Sequence, residues 1–213
     1  MVEITNGLHT LLNEVDQFTL LQLNIDEFFR YMKKFQKNNN HDFVNLNRYF
    51  TNYINSFYMW ISFHEKYYKT IFSELKPSFY DNNFSYRIAY NIRIYTAHES
   101  MPITLISTDI INETVTAQIS VSELINTSCN IQSRFRNELK EKYKTLKNID
   151  VLWLSQELKA ALLNCQKTIW NKLQPKITSW LIDINNIFPV ADPAIINAYI
   201  ETDYDERPIP LGH

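Results

Sequence analysis

The sequence predicts a mainly α-helical fold, a bundle of long helices with one β-hairpin inserted at about 103–121. Three observations support this prediction. Apolar residues recur at helical spacing over most of the chain. The chain has only two glycines, Gly7 and Gly212, whereas a large β fold uses glycine at many of its turns. The hydrophobic fraction of 45% suffices to build a core, so we do not expect a disordered chain.

The first part of the chain is predicted to form three helices. Apolar residues at helical spacing place the first helix at about 8–23. The second helix covers about 25–37, and an asparagine cluster at 38–40 ends it. The third begins after Asp42, a suitable N-cap residue, and continues to about Leu75.

The third helix carries a heptad pattern, in which large residues repeat every seven positions in two stripes. The stripes are Phe43, Phe50, Phe57, His64 and Ile71, and Leu46, Tyr53, Trp60 and Tyr67. Such a seam packs along another long helix, either within the subunit or across a dimer. We interpret His64 as a core histidine that is hydrogen-bonded to a neighbour, with a catalytic or ligand-binding role as the alternative.

Prolines set the predicted limits of a fourth helix at about 84–98. Pro77 is expected to break the helix before it, and Pro102 disfavours helical geometry at the preceding residue. The fourth helix should therefore end between His98 and Ser100. It is apolar almost all the way round, which is typical of a helix buried in a core or a subunit interface.

Two arginines, Arg87 and Arg93, lie on this otherwise apolar helix. A buried arginine costs several kcal/mol unless its charge is compensated. We therefore expect an acidic partner, a helix C-terminus or an anionic ligand beside these side chains.

A change of period marks the β-hairpin. Polar and apolar residues alternate strictly at 114–121, which predicts a strand, and 103–107 can supply its partner. Ser120 and Glu123 then match a capping box that opens a helix continuing to about Leu146.

The last part of the chain is predicted to be helical as well. Asp150 can cap a long helix, which Pro175 should kink or divide. An Asp-Pro pair at 192–193 is typical of the start of a short helix. We expect one helical domain over 1–200 and a mobile tail, acidic and proline-containing, over 201–213.

The net charge of −2 gives no global reason to expect nucleic-acid or membrane binding. The segment 132–147 is locally basic, and we interpret it as a solvated helix face. Cys129 and Cys165 fit two buried free thiols in a reducing compartment. No signal-peptide pattern and no apolar run of membrane-spanning length occur, so we expect a soluble cytoplasmic protein with no membrane partner.

Several kinds of site are excluded by the residues themselves. The two glycines cannot supply a Walker or Rossmann phosphate loop or a Gly-x-Ser-x-Gly elbow. The sequence contains no Cys-x-x-Cys, His-Glu-x-x-His or Glu-x-x-His motif of the kinds that hold metal ions. We therefore expect neither a metal nor a cofactor.

One short motif remains, the run from Arg93 to His98, in which four residues separate an arginine from a histidine. It resembles the Arg-x(4–6)-His motif of the HEPN superfamily, compact α-helical domains whose ribonuclease members carry this motif near a helix end. The segment 84–102 is similar to one found in uncharacterised bacterial HEPN-like proteins, and 46–53 fits the same pattern.

The resemblance implies metal-independent cleavage of RNA by a homodimer in which the motifs of two subunits face each other. Arg93 would hold the phosphate and stabilise the charge that develops on it. His98 would take the proton of a ribose 2′-hydroxyl or give one to the leaving 5′-oxygen. Tyr95 or Glu99 would orient the histidine. Such enzymes serve in toxin–antitoxin and phage-defence systems, which implies an antitoxin or defence protein as a partner.

Helix geometry qualifies this assignment. On a regular helix, Arg93 and His98 point about 140° apart, so one subunit's pair cannot converge on one phosphate. A helix end after Ala97, or a second subunit, would bring them together. Arg87, Asn91 and His98 lie within a narrow sector of the helix, and Arg87 is then a candidate anion-binding residue.

Two other functions remain open from the sequence. Many active HEPN members carry a polar residue directly after the arginine, whereas this chain has Ile94. A non-catalytic helical interaction module or defence-system subunit is therefore one alternative. A sensor that binds an anion or nucleotide in the same arginine and histidine pocket is another.

Overall fold

The computed structural model describes residues 2–37, 42–98, 100–109, 114–129, 131–144 and 147–187. Within these ranges the chain forms seven helices and a three-stranded sheet. In chain order they are α1 (Val2–Lys37), α2 (Phe43–Tyr67), α3 (Lys69–Asn82), α4 (Phe84–His98), β1 (Leu105–Asp109), β2 (Thr114–Ser120), α5 (Val121–Asn126), α6 (Ser133–Lys142), β3 (Asn148–Asp150) and α7 (Val151–Ile187). The predicted fold class, mainly helical with an inserted hairpin, is confirmed.

Helix α1 is a single helix of 36 residues, so the predicted boundary between two helices at 23–25 is wrong. Asn24 stays within the helix and its Nδ2 donates to the Leu20 carbonyl at 3.0 Å. The buried stripe of Leu21, Ile25 and Phe28 crosses this point without a change of spacing. Continuous burial of one face therefore outweighs the weak helix propensity of asparagine.

The heptad seam of α2 packs against α1 within the same subunit, which decides between the two predicted alternatives. The Phe28 ring lies 5.5 Å from the Phe50 ring and 6.0 Å from the Tyr53 ring, centroid to centroid. Asp42 caps α2 as predicted, because its Oδ1 accepts from the Asn45 amide at 3.0 Å. The start and the packing of α2 thus follow from local sequence.

The end of α2 and the role of Pro77 differ from prediction. Helix α2 ends at Tyr67 rather than near Leu75, and α3 then runs through Pro77 to Asn82. Proline removes one backbone donor from a helix. Phe72 and Phe79 on either side of it are buried in the core, and their packing holds the helix across that gap.

Helix α4 ends at His98, as Pro102 predicted, and packs against α2, α3 and α7. Most of its side chains are buried or half-buried, and only Ala97 and His98 at its end are exposed. The prediction of an enclosed apolar helix is confirmed. The buried face lies inside the subunit.

The predicted hairpin is formed by β1 and β2, which pair antiparallel with Leu105 opposite Gln118. A third strand, β3, was not predicted and joins the sheet along β2. Three residues are too few to show a period of two. Ahead of β1, the Asn47 side chain of α2 bonds to both backbone groups of Ile103, at 3.0 and 2.9 Å, and fixes the sheet against the bundle.

Ser120 and Asp150 cap helices as predicted, whereas the helix predicted to follow Ser120 is shorter than expected. Ser120 Oγ accepts from the Glu123 amide at 3.3 Å, and Asp150 Oδ1 accepts from the Trp153 amide at 2.7 Å. The helix predicted to run to Leu146 is divided into α5 and α6 by a non-helical segment after Asn126. The chain turns there so that Ile131 and other apolar residues can enter the core.

Helix α7 continues through Pro175 to Ile187 and is not divided. Its last turns meet the first turns of α1. A Cβ atom at Gly7 would overlap the six-membered ring of Trp180, so glycine allows this close approach. Within the described ranges no helix is both long and apolar enough to cross a membrane. The predicted short helix near 192–200 and the tail at 201–213 lie outside the described residues.

Candidate functional site

Arg87 is the most heavily engaged side chain of α4. Its Nε donates to Glu138 Oε2 at 2.9 Å and its Nη2 donates to Glu138 Oε1 at 2.5 Å. Its Nη1 donates to the Asp81 carbonyl at 2.8 Å and also to the Tyr80 carbonyl. These carbonyls belong to the last turn of α3, where helices leave carbonyl groups without intrahelical donors.

These contacts show how the charge of the buried Arg87 is compensated. Two of the expected compensations, an acidic partner and a helix C-terminus, meet at Arg87. The guanidinium thereby ties α4 to α6 and to the end of α3. Its charge is balanced inside the subunit, so an anionic ligand is not needed to explain its burial.

The carboxyl group of Glu138 responds to the same contacts. Burial by itself raises the pKa of Glu138, but the hydrogen bonds and charge of Arg87, together with Lys142, hold it below its ordinary value. Lys142 Nζ lies 3.6 Å from Glu138 Oε1. Glu138 is therefore ionised whenever the protein is near neutral pH.

Asn91 and Tyr95 are both buried in the core and do not face solvent. Asn91 Nδ2 donates to the Arg87 carbonyl at 2.7 Å, one turn back along α4. Its Oδ1 has no hydrogen-bond partner among the described residues. Arg87, Asn91 and His98 were predicted to share one sector of α4. Asn91 is linked to Arg87 through the Arg87 carbonyl, whereas His98 lies at the surface.

Arg93 lies on another side of α4, against α2. Its guanidinium carbon is 3.8 Å from the centroid of the Tyr58 ring, a close cation–π contact. Tyr58 in turn lies 6.1 Å from Tyr90. In the described part of the chain the Arg93 guanidinium has no carboxylate partner.

His98 is the last residue of α4 and is exposed. Its ring makes no hydrogen bond or ion pair with any residue that the structure describes. Because α4 stays helical to His98, Arg93 and His98 diverge by about 140° within one subunit. Glu99, predicted as a supporting residue, lies outside the described residues.

A cluster that the sequence did not reveal lies deep between α1, α2 and α7. The side chains of Glu14 and His64 are both fully buried, with Glu14 Oε1 3.6 Å from His64 Nε2. Gln166 Nε2 donates to the same carboxylate oxygen, and Trp60 Nε1 donates to Gln166 Oε1 at 3.0 Å. His64 Nδ1 lies 2.8 Å from the Trp60 carbonyl oxygen, so its interpretation as a hydrogen-bonded core histidine is confirmed.

The tautomer of His64 follows from the carbonyl group beside its Nδ1. A carbonyl can only accept, so His64 Nδ1 must carry the hydrogen that faces Trp60. Its Nε2 lies 3.6 Å from Glu14 Oε1 and has no hydrogen-bond partner among the described residues. The burial of Glu14, though not its partners, could have been predicted from the sequence. Glu14 lies one turn before Phe18, on the apolar stripe of α1 that continues to Leu21.

The two cysteines offer no reactive group. Both are free and buried. Burial raises the pKa of the Cys165 thiol to about 12, so the thiolate does not form near neutral pH. Among the described residues no three His, Cys, Asp or Glu side chains come close enough together to hold a metal ion.

Comparison with known proteins adds no assignment to this geometry: no protein-family model, no curated protein and no solved structure matches the chain.

Proposed function

We propose that this protein is a HEPN-like, metal-independent endoribonuclease that acts as a homodimer in a toxin–antitoxin or phage-defence system. The observation that supports it is the availability of both motif side chains. The exposed His98 ring has no hydrogen-bond or ion-pair partner among the described residues, and the Arg93 guanidinium lies over the Tyr58 ring without a carboxylate partner there. Arg87, by contrast, is already neutralised by Glu138.

The chemistry suits these two side chains. An exposed histidine can accept the 2′-hydroxyl proton and return one to the 5′-oxygen. A guanidinium held on an aromatic face keeps its N–H fork free to grip the phosphate oxygens. Attack by the 2′-oxygen on phosphorus breaks the bond to the 5′-oxygen and leaves a 2′,3′-cyclic phosphate.

Because Arg93 and His98 point about 140° apart on one helix, the proposed site needs a second subunit. An active site would combine Arg93 of one protomer with His98 of the other. Helix α1 offers a surface for such a dimer, because Leu12, Leu20 and Leu23 are exposed on the face opposite its buried stripe.

Cleavage of RNA by the purified protein in EDTA is the direct test. We expect products that end in 2′,3′-cyclic phosphate, and a loss of about 10²–10⁴-fold in rate for His98→Ala. His9→Ala is the matched control, since His9 is also exposed and lies on α1. Absence of cutting by the wild type, or full activity in His98→Ala, would show that the proposal is wrong.

Mixing two inactive variants tests the shared site. In a dimer of one Arg93→Ala chain and one His98→Ala chain, one composite site is intact and the other lacks both groups. We expect such mixed dimers to recover up to half of the wild-type activity, whereas each variant alone stays inactive. No recovery, despite exchange of subunits, would place both residues of a site in one protomer and contradict the composite arrangement.

A further inference from the structure

A basic cleft opens at one end of the bundle, where α1 ends and α2 begins. Its volume is about 530 Å³. Four cations of α1 line it: Arg30, Lys33, Lys34 and Lys37. Their spacing of three and four residues places them along one face of the helix, and all four are exposed.

These cations are not neutralised by the protein. None of the four forms an ion pair with a carboxylate among the described residues, and Glu27 is the only acidic side chain lining the cleft. The C-terminal dipole of α1 favours cations in its last turn, which accounts for Lys34 and Lys37. It does not account for Arg30 and Lys33, which lie before that turn and add to the mutual repulsion.

Two tyrosines form an aromatic wall of the same cleft. The rings of Tyr31 and Tyr49 lie 4.7 Å apart with an interplanar angle of 33°. Tyr31 is held in place because its hydroxyl donates to the Asp42 carbonyl at 3.1 Å. A fifth cation, Arg48, lies 4.7 Å from the centre of the Tyr49 ring. Both tyrosines are half-buried, so each keeps part of its surface open to the cleft.

The basic segment of α6 and the turn after it is different. There Lys142 lies 3.6 Å from Glu138, and Lys144 lies 2.7 Å from Glu141. Arg136 donates to two backbone carbonyls of the preceding turn. Much of that positive charge is therefore already matched, whereas the charge in the cleft is available to an outside anion.

We propose that the cleft binds the phosphate backbone of single-stranded RNA, with a base packed against the open surface of the Tyr31 and Tyr49 pair. Cations along a helix can follow successive phosphates, and an aromatic surface accepts any base. The choice of RNA as the polyanion rests on the proposed ribonuclease function, for which the cleft would be the site that captures the substrate strand. The cleft itself rests on its own residues.

Binding is measured by fluorescence anisotropy on the full chain carrying His98→Ala, so that the probe is not cut. The probe is a labelled single-stranded RNA of mixed sequence and about 12 nucleotides, within the usual range of site sizes. Three exposed cleft cations are replaced together, as Arg30→Gln, Lys33→Gln and Lys37→Gln. We expect the affinity to fall about tenfold or more, and the slope of log Kd against log salt to fall by about 2.

The matched control removes the same charge from the other basic segment, as Arg134→Gln, Lys140→Gln and Lys147→Gln. All three side chains are exposed, and we expect less than about threefold loss of affinity. A loss equal to that of the cleft variant would overturn the proposal, since binding would then depend on overall charge alone. Tyr49→Leu should weaken binding about tenfold while leaving the salt slope unchanged.

The outcomes separate this site from the proposed function. RNA bound through the cleft by a protein that never cuts RNA would support the site and contradict the nuclease. Cutting of RNA that is unaffected by the cleft substitutions would support the nuclease and contradict the site. Binding of vesicles that contain phosphatidylserine through the same cations, with no binding of RNA, would identify the cleft as a membrane contact and overturn the proposal.

Discussion

Two pairs of polar side chains in this molecule, one at the rim and one in the core, are buried to different degrees and are paired in different ways. At the rim, Arg87 and Glu138 form a two-point salt bridge, with side chains 12% and 25% exposed, and carbonyls of α3 accept further N–H groups. In the core, Glu14 and His64 are fully buried and lie 3.6 Å apart. Glu14 Oε2 and His64 Nε2 have no hydrogen-bond partner among the described residues.

The difference shows where each pair can fail. The rim pair can be rehydrated if one partner is lost, because water reaches the site. The core pair cannot, so removal of one partner leaves a polar group stranded in an apolar bundle. The core pair also links three helices, since Glu14 of α1 meets both His64 of α2 and Gln166 of α7.

The largest expected effect is therefore in the core. Glu14→Ala should lower the free energy of unfolding by about 3–5 kcal/mol, because it strands His64 and Gln166 and opens a cavity. Urea unfolding followed by circular dichroism measures this. Glu14→Gln is the control, since it keeps the shape of the side chain and its amide oxygen can still accept from Gln166. We expect it to cost less than about 1 kcal/mol, and equal losses in the two variants would contradict the role of the retained side-chain shape and the hydrogen bond to Gln166.

The rim pair should give an intermediate effect. Arg87→Ala removes charge-assisted hydrogen bonds to Glu138 and to the end of α3, and should cost about 1.5–3 kcal/mol. Arg87→Lys keeps the charge but not the two-point geometry, so it should recover only part of the loss. The same urea measurement applies. A loss from Arg87→Ala as large as that from Glu14→Ala would remove the distinction between rim and core.

The smallest effect is on the acid side of the stability curve. The pKa of Glu138 is lower in the folded protein than its ordinary value of 4.5. Its contribution is therefore complete above that value and is lost as the pH falls through the folded pKa, where the unfolded chain binds the proton first. Melting temperatures of wild type and Glu138→Gln should converge as the pH is lowered from 7 to 3. A constant difference over this range would contradict the assignment.

The parts of the fold that were predictable are those set by neighbouring residues. The caps at Asp42, Ser120 and Asp150 each use an amide three residues away, and the alternation in β2 is visible in the sequence itself. The continuity of α1 and the passage of α3 through Pro77 were not predictable in this way. At Asn24 and Pro77, burial of the helix against other helices outweighs the low helix propensity of asparagine and proline.

In the candidate site too, the features set within one helix were predictable, whereas the contacts between helices were not. Sequence reasoning predicted that Arg87 needs an acidic partner or a helix end, and both are present. It could not identify Glu138, because that residue lies in another helix and only the fold brings the two together. The partners of His64 were missed for the same reason. The roles of Arg93 and His98 remain predictions, since they depend on a substrate and a second subunit.

The contacts between α1 and α7 have a consequence for the order of events during synthesis. Glu14 and Gly7 leave the ribosome well before Gln166 and Trp180, which cover them. Until then the apolar face of α1 and its carboxylate lack part of their final surroundings. The nascent chain therefore passes through a period in which the apolar face of α1 is exposed and prone to aggregate, and this part of the core is completed only when α7 has been synthesised.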